Sequence, residues 1–358
     1  MTAPGATAPG VIPGGGAPPR ILITGATGFL GGSLVERLLA HGERRLRLTV
    51  RSGSRRARVL AAAARHPGAE LEFVDANLVS PSDARRAVEG VDVIYHLAAS
   101  LRGAPADMFL NTVVASKNLL DALPAGAGRP RVVLVSSFSV YGVAELGRGV
   151  VVDEHTPLEP HPQKRDLYAH VKLRQERLFR EYAERLGFPL VVLRPGVIYG
   201  PGGSAFSSRV GLDLFGLFLN LGGPNLLPLS FVDNCSDAMI VAARAQAAGG
   251  EVYNVNDDEL PTCAEYLAGY ERSVRHLRTL RIPYPALSLL SRAVERYHTW
   301  SRGQLPAIFT PYKSATTWGG NRFDNGKLKR LGWRQEVPTP EGLRRTFDWL
   351  RSQLPKPP

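Results

Sequence analysis

The sequence predicts an α/β protein, a doubly wound parallel sheet with a smaller C-terminal lobe that covers a substrate. Three observations carry this expectation. Short apolar runs alternate with helically spaced segments through the first 200 residues. A glycine-rich turn ends the first of those runs. After residue 200 the alternation loosens into Gly/Pro clusters and separate helices.

The elements follow in order. Arg20–Thr24 is a short apolar run that stops at glycines, and reads as a buried strand. Phe29, Leu30, Leu34, Leu38 and Leu39 share one face of a helix over 29–41. Leu46–Val50, Leu71–Val74 and Val91–Tyr95 are the next strands, with helical patterns at about 81–89 and 107–122. Arg131–Ser136 is a fifth strand, and Leu190–Leu193 a sixth after a long helix over 163–186. Such alternation implies parallel pairing with right-handed crossovers and helices on both faces, the Rossmann-type arrangement. Residues 20–200 are assigned to that domain. Residues 201–358 form mainly the substrate-binding lobe, with segments returning to the sheet and helices near 235–247, 262–277, 285–299 and 340–353.

Composition narrows the function. The 358 residues carry a net charge of +12, supplied mostly by arginine spread along the chain. No zinc-finger, RNA-recognition or helix-turn-helix pattern accompanies it, so a solvated surface is expected rather than nucleic-acid binding. The two cysteines, Cys235 and Cys263, are too few for a disulfide framework, and Cys235 reads as a buried filler. No residue cluster suggests a metal. Residues 1–19 are almost all Ala, Gly and Pro, unlike a signal peptide, and are expected to be disordered. With no apolar stretch of spanning length, a soluble cytoplasmic protein is expected.

Two constellations carry chemistry. Gly25, Gly28 and Gly31 stand in the run Thr24–Gly31, between the first strand and an amphipathic helix. Gly25 permits the tight turn, Gly28 permits a pyrophosphate to approach the backbone, and Gly31 permits close packing of helix on strand. The helix N-terminus then offers free N–H groups to phosphates. At the end of the second strand, where an acid would hold the ribose of NAD, the chain has Arg51, followed by Ser52, Arg55 and Arg56. A guanidinium there suits the 2′-phosphate of NADP, the expected cofactor, with NAD as the alternative. Tyr168 and Lys172 lie one helical turn apart, and Ser137 ends the fifth strand. A cation beside a phenol is expected to lower its pKa toward the working range of a general acid and base. Ser137 is placed to hold a substrate oxygen.

These residues resemble the extended short-chain dehydrogenase/reductase family, also called the NAD-dependent epimerase/dehydratase family, over most of Arg20 to about Trp349. The resemblance rests on the glycine turn, His96–Ala99, Asn111, Ser136–Gly142, Tyr168 with Lys172, Arg194–Pro201, Phe231–Asn234, Tyr253–Val255 and Phe323–Trp333. It implies Tyr168 as acid/base, Lys172 on the nicotinamide ribose, and Ser137 on the substrate oxygen. It also implies Thr27, Phe29 and Leu30 in the cofactor turn, Ala98 and Ala99 along the cofactor path, and Pro195 against the nicotinamide. Ala76-Asn77-Leu78 replaces the family's Gly-Asp-Leu, which puts Asn77 at the adenine with Asp75 as competitor. Relatives dimerise through two helices, and residues 107–122 and 163–186 permit a homodimer of that kind.

Within the family, Phe138 and Ser139 fill the positions where dehydratases carry an acidic pair, which argues against dehydration. Leu226–Ser230 carries no arginine of the kind that epimerases set before Val-Asp-Asn, and Val210–Leu229 is rich in Leu and Phe. A bulky apolar alcohol or ketone is therefore expected as substrate. A nucleotide-sugar 4-epimerase with tightly held NAD is the first alternative, and a non-catalytic dinucleotide-binding regulator the second. Ile282-Pro283 with Leu305–Thr310 resembles the 3β-hydroxysteroid/sterol dehydrogenase branch. The arginines interleaved with apolar residues over 272–302 are expected to form a solvated face, with contact to a membrane surface as the alternative.

Overall fold

A computed structural model of the chain describes residues 18–126, 128–301 and 309–355. The expected disordered tail (1–19) and the Leu305–Ile308 part of the sterol-like stretch lie almost wholly outside these residues. Seven strands form one all-parallel sheet, in the spatial order Val252–Val255, Leu190–Pro195, Arg131–Val135, Val93–His96, Ile21–Thr24, Arg45–Val50, Glu70–Asp75. The order reverses beside Ile21–Thr24, the switch point at which doubly wound sheets bind ligands beyond their C-terminal edges.

Alternation along the strands builds two cores. Ile21 and Ile23 face one way, onto helices Phe29–Ala40 and Val232–Arg244. Leu22 and Ile94 face the other, onto Leu119, Leu120 and Phe179 of helices Ala115–Asp121 and Leu167–Leu186. Burial on both faces is why these strands read as continuous apolar runs. Cys235 is buried in the first core, and burial pushes its thiol up to about 12, so it is an inert filler as expected.

Several boundaries differ from expectation. The helix expected at 107–122 is interrupted. An α-helical turn, Pro105–Phe109, passes through a π-helical stretch, Leu110–Val114, before Ala115–Asp121 resumes. The long helix begins at Leu167 rather than 163, because the Asp166 carboxylate caps it by accepting from the Ala169 N–H at 2.9 Å. Helix Ala57–Ala64 is an addition. Its Arg/Ala sequence buries only Val59 and Ala62, so it has little periodic signal.

The chain returns to the sheet through Val252–Val255, which pairs with Leu190–Pro195, although that segment did not read as a strand. A two-strand unit joins Val197–Tyr199 to Leu229–Phe231. A three-strand unit joins the hairpin Gly211–Leu214/Leu217–Asn220 to Thr279–Arg281. Helices Cys263–Ser273, Tyr284–Trp300, Pro311–Trp318 and Thr339–Ser352 complete the lobe. Among the described residues, no helix is long and apolar enough to cross a membrane.

Candidate active site

The glycine turn lies at the C-terminal end of Ile21–Thr24. Gly25 has φ +73°, and a Cβ on it would stand 3.2 Å from the Ala98 nitrogen. Left-handed geometry and close approach to the next loop together require glycine. A Cβ on Gly31 would fall 2.2 Å from the Gly25 carbonyl oxygen. Gly31 therefore packs the helix against its own turn, rather than against the strand as the sequence suggested. Gly28 differs from both. It is exposed, and a Cβ there would meet only the Gly25 oxygen, at 3.2 Å. It also begins helix Phe29–Ala40 without a side-chain cap. Open backbone at an uncapped helix start fits the pyrophosphate of a dinucleotide. Thr27 is half-buried beside it, and Leu30 packs against the core. The Phe29 ring lies under the Gly202–Gly203 loop, and the Phe29 carbonyl accepts from Arg58 Nη1 at 3.2 Å. No spacing in the sequence brings Arg58 to the turn.

Arg51 directly follows Arg45–Val50 and is exposed. Its N–H donates to Ser54 Oγ at 3.0 Å and its carbonyl accepts from the Ser54 N–H at 2.9 Å, which fixes the loop. Arg56 instead lies over the Phe73 ring. Asn77 is exposed, but its side-chain oxygen accepts from the Val79 N–H at 3.2 Å. Leu78 is buried in the second core, so its role is packing. Ala98 and Ala99 are half-buried past Val93–His96, and Pro195 is buried at the end of its strand, paired with Val255.

Ser137, Tyr168 and Lys172 are brought together between strand Arg131–Val135 and helix Leu167–Leu186. Ser137 Oγ accepts from the Ser139 N–H at 3.1 Å and so starts the short turn Phe138–Val140. Its hydroxyl also serves the Tyr168 phenol. Burial raises the phenol above its ordinary pKa, and the Ser137 hydrogen bond pulls the other way. Lys172 is buried. Its ammonium donates to the Val135 carbonyl and to Gln175 Oε1, both at 2.6 Å. Burial brings it down to about 7, with Glu176 opposing. The expected lowering of the phenol by Lys172 is thus not the dominant influence here. Burial is.

A polar chain that the sequence did not reveal holds Lys172. Thr24 Oγ1 accepts from the Leu97 and Ala98 N–H groups, so its own proton goes to His96 Nδ1, at 3.0 Å. His96 Nε2–H then donates to Ser116 Oγ at 3.0 Å, where Gln175 Nε2 also donates at 2.9 Å. The Ser116 hydroxyl in turn donates to the Thr112 carbonyl, inside the π-helical stretch. The cofactor strand is thereby linked through His96, Ser116 and Gln175 to Lys172. Burial, with Lys172 adding to it, brings His96 down to about 3, so the ring is neutral. Its folded pKa lies below the ordinary 6.5, so it stabilises fully above pH 6.5 and progressively less as pH falls toward 3. Urea unfolding is therefore expected to show stability falling from pH 6.5 to 4.5, with a shallower slope in His96→Asn. Equal slopes would remove His96 as the cause.

Aromatic side chains pack directly after Ser137. Phe138 stacks on Phe323, with centroids 5.3 Å apart and planes 12° apart, and Arg209 lies over Phe323 at 5.8 Å. Burial, then Arg165, brings Arg209 down to about 10. Sequence reasoning missed this arginine because it comes from a loop with no periodic signal. Behind the site, Glu176 is fully buried. Its carboxylate accepts from Arg194 Nε at 3.1 Å, Arg180 Nη2 at 3.0 Å and Ser136 Oγ at 2.6 Å. Burial alone would raise it, but Arg194 above all holds it below the usual carboxylate range.

The NAD dependent epimerase/dehydratase family model matches residues 21–256. A 3beta-hydroxysteroid-dehydrogenase/decarboxylase of Arabidopsis thaliana is 27% identical over 91% of this chain and 78% of its own. A UDP-glucose 4-epimerase of Mycolicibacterium smegmatis is 27% identical over 93% of this chain and 99% of its own. The solved Thermus thermophilus UDP-glucose 4-epimerase complex with NAD superposes with a TM-score of 0.68 at 22% identity, covering 94% of this chain and all of that one.

Proposed function

Because the chain belongs to the NAD dependent epimerase/dehydratase family, we propose that it is an NAD(P)-dependent oxidoreductase acting at the secondary alcohol or ketone carbon of a bulky, apolar substrate. The observation that carries this reading is the convergence of Ser137, Tyr168 and Lys172, tied through Gln175, Ser116 and His96 to Thr24 at the start of the glycine turn. The nicotinamide, when bound, supplies or accepts the hydride. The chain's own residues do the rest. Ser137 hydrogen-bonds the substrate oxygen and Tyr168 gives or takes its proton. Lys172, fixed by the Val135 carbonyl and Gln175, holds the nicotinamide ribose, as the family resemblance implies. The Leu- and Phe-rich segment Val210–Leu229 supports an apolar substrate, and the likeness to a hydroxysteroid dehydrogenase agrees with it.

A spectrophotometric screen at 340 nm tests the reading, with NADPH and NADH against ketosteroids, keto-acyl esters and nucleotide sugars. Net cofactor oxidation with a ketosteroid is expected. The likeness to a UDP-glucose 4-epimerase supports a second reading. Tightly bound NAD in the purified protein, with nucleotide-sugar epimerisation and no net turnover, would establish that reading instead.

NADP is the proposed cofactor, because Arg51 is exposed at the end of the second strand and makes no ion pair among the described residues. Arg51→Ala is expected to weaken NADPH about tenfold or more, the scale of a lost charged hydrogen bond, with NADH unaffected. Equal losses for both cofactors in fluorescence titrations would refute the preference.

A further inference from the structure

The hairpin Gly211–Leu214/Leu217–Asn220 turns through Phe215 and Gly216. Phe215 has φ +52°, left-handed geometry that disfavours a bulky side chain, and it is fully exposed. Packing does not account for an aromatic residue held at a strained, solvent-facing tip. The apolar surface continues behind it. Leu214 and Leu217 face each other across the hairpin. Leu219 lies two residues beyond Leu217 and pairs with Leu280 of the neighbouring strand, so these four leucines share one sheet face. Toward the lobe's interior, Leu287 of helix Tyr284–Trp300 covers that face at Leu219 and Ile282. Toward the tip, Leu214, Leu217 and Leu280 stay exposed.

The covering helix repeats the pattern. It buries Leu287 and Ser291. Leu289, Leu290, Ala293, Tyr297 and Trp300 are all exposed, and at 3.6 residues per turn they fall within roughly one third of its circumference. Trp300 is 77% exposed and Leu289 68%, large values for side chains that ordinarily seek cover. Arg292 and Arg296 border this second stripe. Over residues 272–300 there are six arginines against one acid, Glu295. All six are exposed, and none makes an ion pair among the described residues.

We propose that this face, the Phe215 hairpin tip with the outer stripe of helix Tyr284–Trp300, docks on an anionic lipid bilayer. Charge complementarity selects that occupant. Uncompensated arginines around exposed Leu, Phe, Tyr and Trp match a surface with phosphate headgroups above acyl chains. Trp and Tyr belong at that boundary, and arginine stems reach from it to the headgroups. The chain rests on the bilayer without crossing it. The arginine interleaving seen in the sequence thus serves recognition rather than solvation alone, and the proposal stands independently of the substrate assigned above.

The test is flotation of the full-length chain with vesicles of equimolar phosphatidylcholine and phosphatidylglycerol, beside vesicles of phosphatidylcholine alone. The chain is expected to float with the anionic vesicles, more weakly at high salt. A Phe215→Ser/Trp300→Ser variant, melting as the wild type does, is expected to lose about tenfold or more in partitioning, the scale of two large apolar side chains returned to water. Tryptophan emission should shift to the blue on binding, and this shift should be absent from Trp300→Phe. Failure of the wild type to float with anionic vesicles would overturn the proposal, as would undiminished binding by the double variant. A dimer in light scattering that the double variant dissociates would overturn it too, making the face a contact between copies.

Discussion

Tyr168→Phe is expected to lower turnover by roughly 10²–10⁴-fold, the usual contribution of a positioned acid/base group, while NAD(P)H still binds as in the wild type. The substitution removes one oxygen and keeps the ring, so the half-buried packing beside Ser137 survives. What disappears is the proton donor to the substrate oxygen. Steady-state kinetics on whichever ketone the screen identifies, with cofactor binding followed by fluorescence, separate the two effects. Unchanged turnover would end the assignment of Tyr168. Loss of cofactor binding alongside turnover would make its role structural.

Glu176→Gln is expected to destabilise the protein by about 3–5 kcal/mol, because it leaves the Arg194 guanidinium buried without its counter-charge. Both side chains are almost entirely enclosed, so water cannot replace the lost partner. The arginine also lies over the Tyr141 ring, and Tyr141 bonds Asn254 in the outermost strand. The damage therefore reaches from the helix across two strands. Chemical denaturation measures the effect. The double variant Glu176→Leu/Arg194→Met provides the control, since replacing both charges by apolar groups of similar volume is often neutral. If the double variant is as unstable as the single one, shape rather than charge is what the pair supplies.

Much of the architecture was legible because local and long-range preferences agree. Most of the anticipated strands are buried on both faces, so their apolar runs have no other stable location, while the edge strand Glu70–Asp75 stays half-exposed. The glycine turn was legible because Gly25 and Gly31 answer to hard steric limits. Ser137, Tyr168 and Lys172 were legible as motif positions. The network behind them was not. His96, Ser116 and Gln175 come from three elements that meet only in the fold. No spacing in the chain encodes that meeting. Asn77 was legible as a motif position, but the local turn in which its side-chain oxygen accepts from the Val79 N–H was not. The arginine-rich stretch 272–302 was ambiguous for a related reason. Composition gives charge and apolarity, but only the fold reveals that the apolar residues remain uncovered.

The last strand of the main sheet has a consequence for biosynthesis. Val252–Val255 pairs with Leu190–Pro195, yet the intervening chain first builds the hairpin, a second strand pair and helix Val232–Arg244. During synthesis the Leu190–Pro195 edge must therefore wait, unpaired and strongly apolar, until that later strand emerges. Such an open edge is a template for pairing with another nascent chain. Fragments ending near residue 200 are expected to aggregate, and fragments reaching past Val255 to remain soluble. The border expected near residue 200 is thus a poor place to cut this protein.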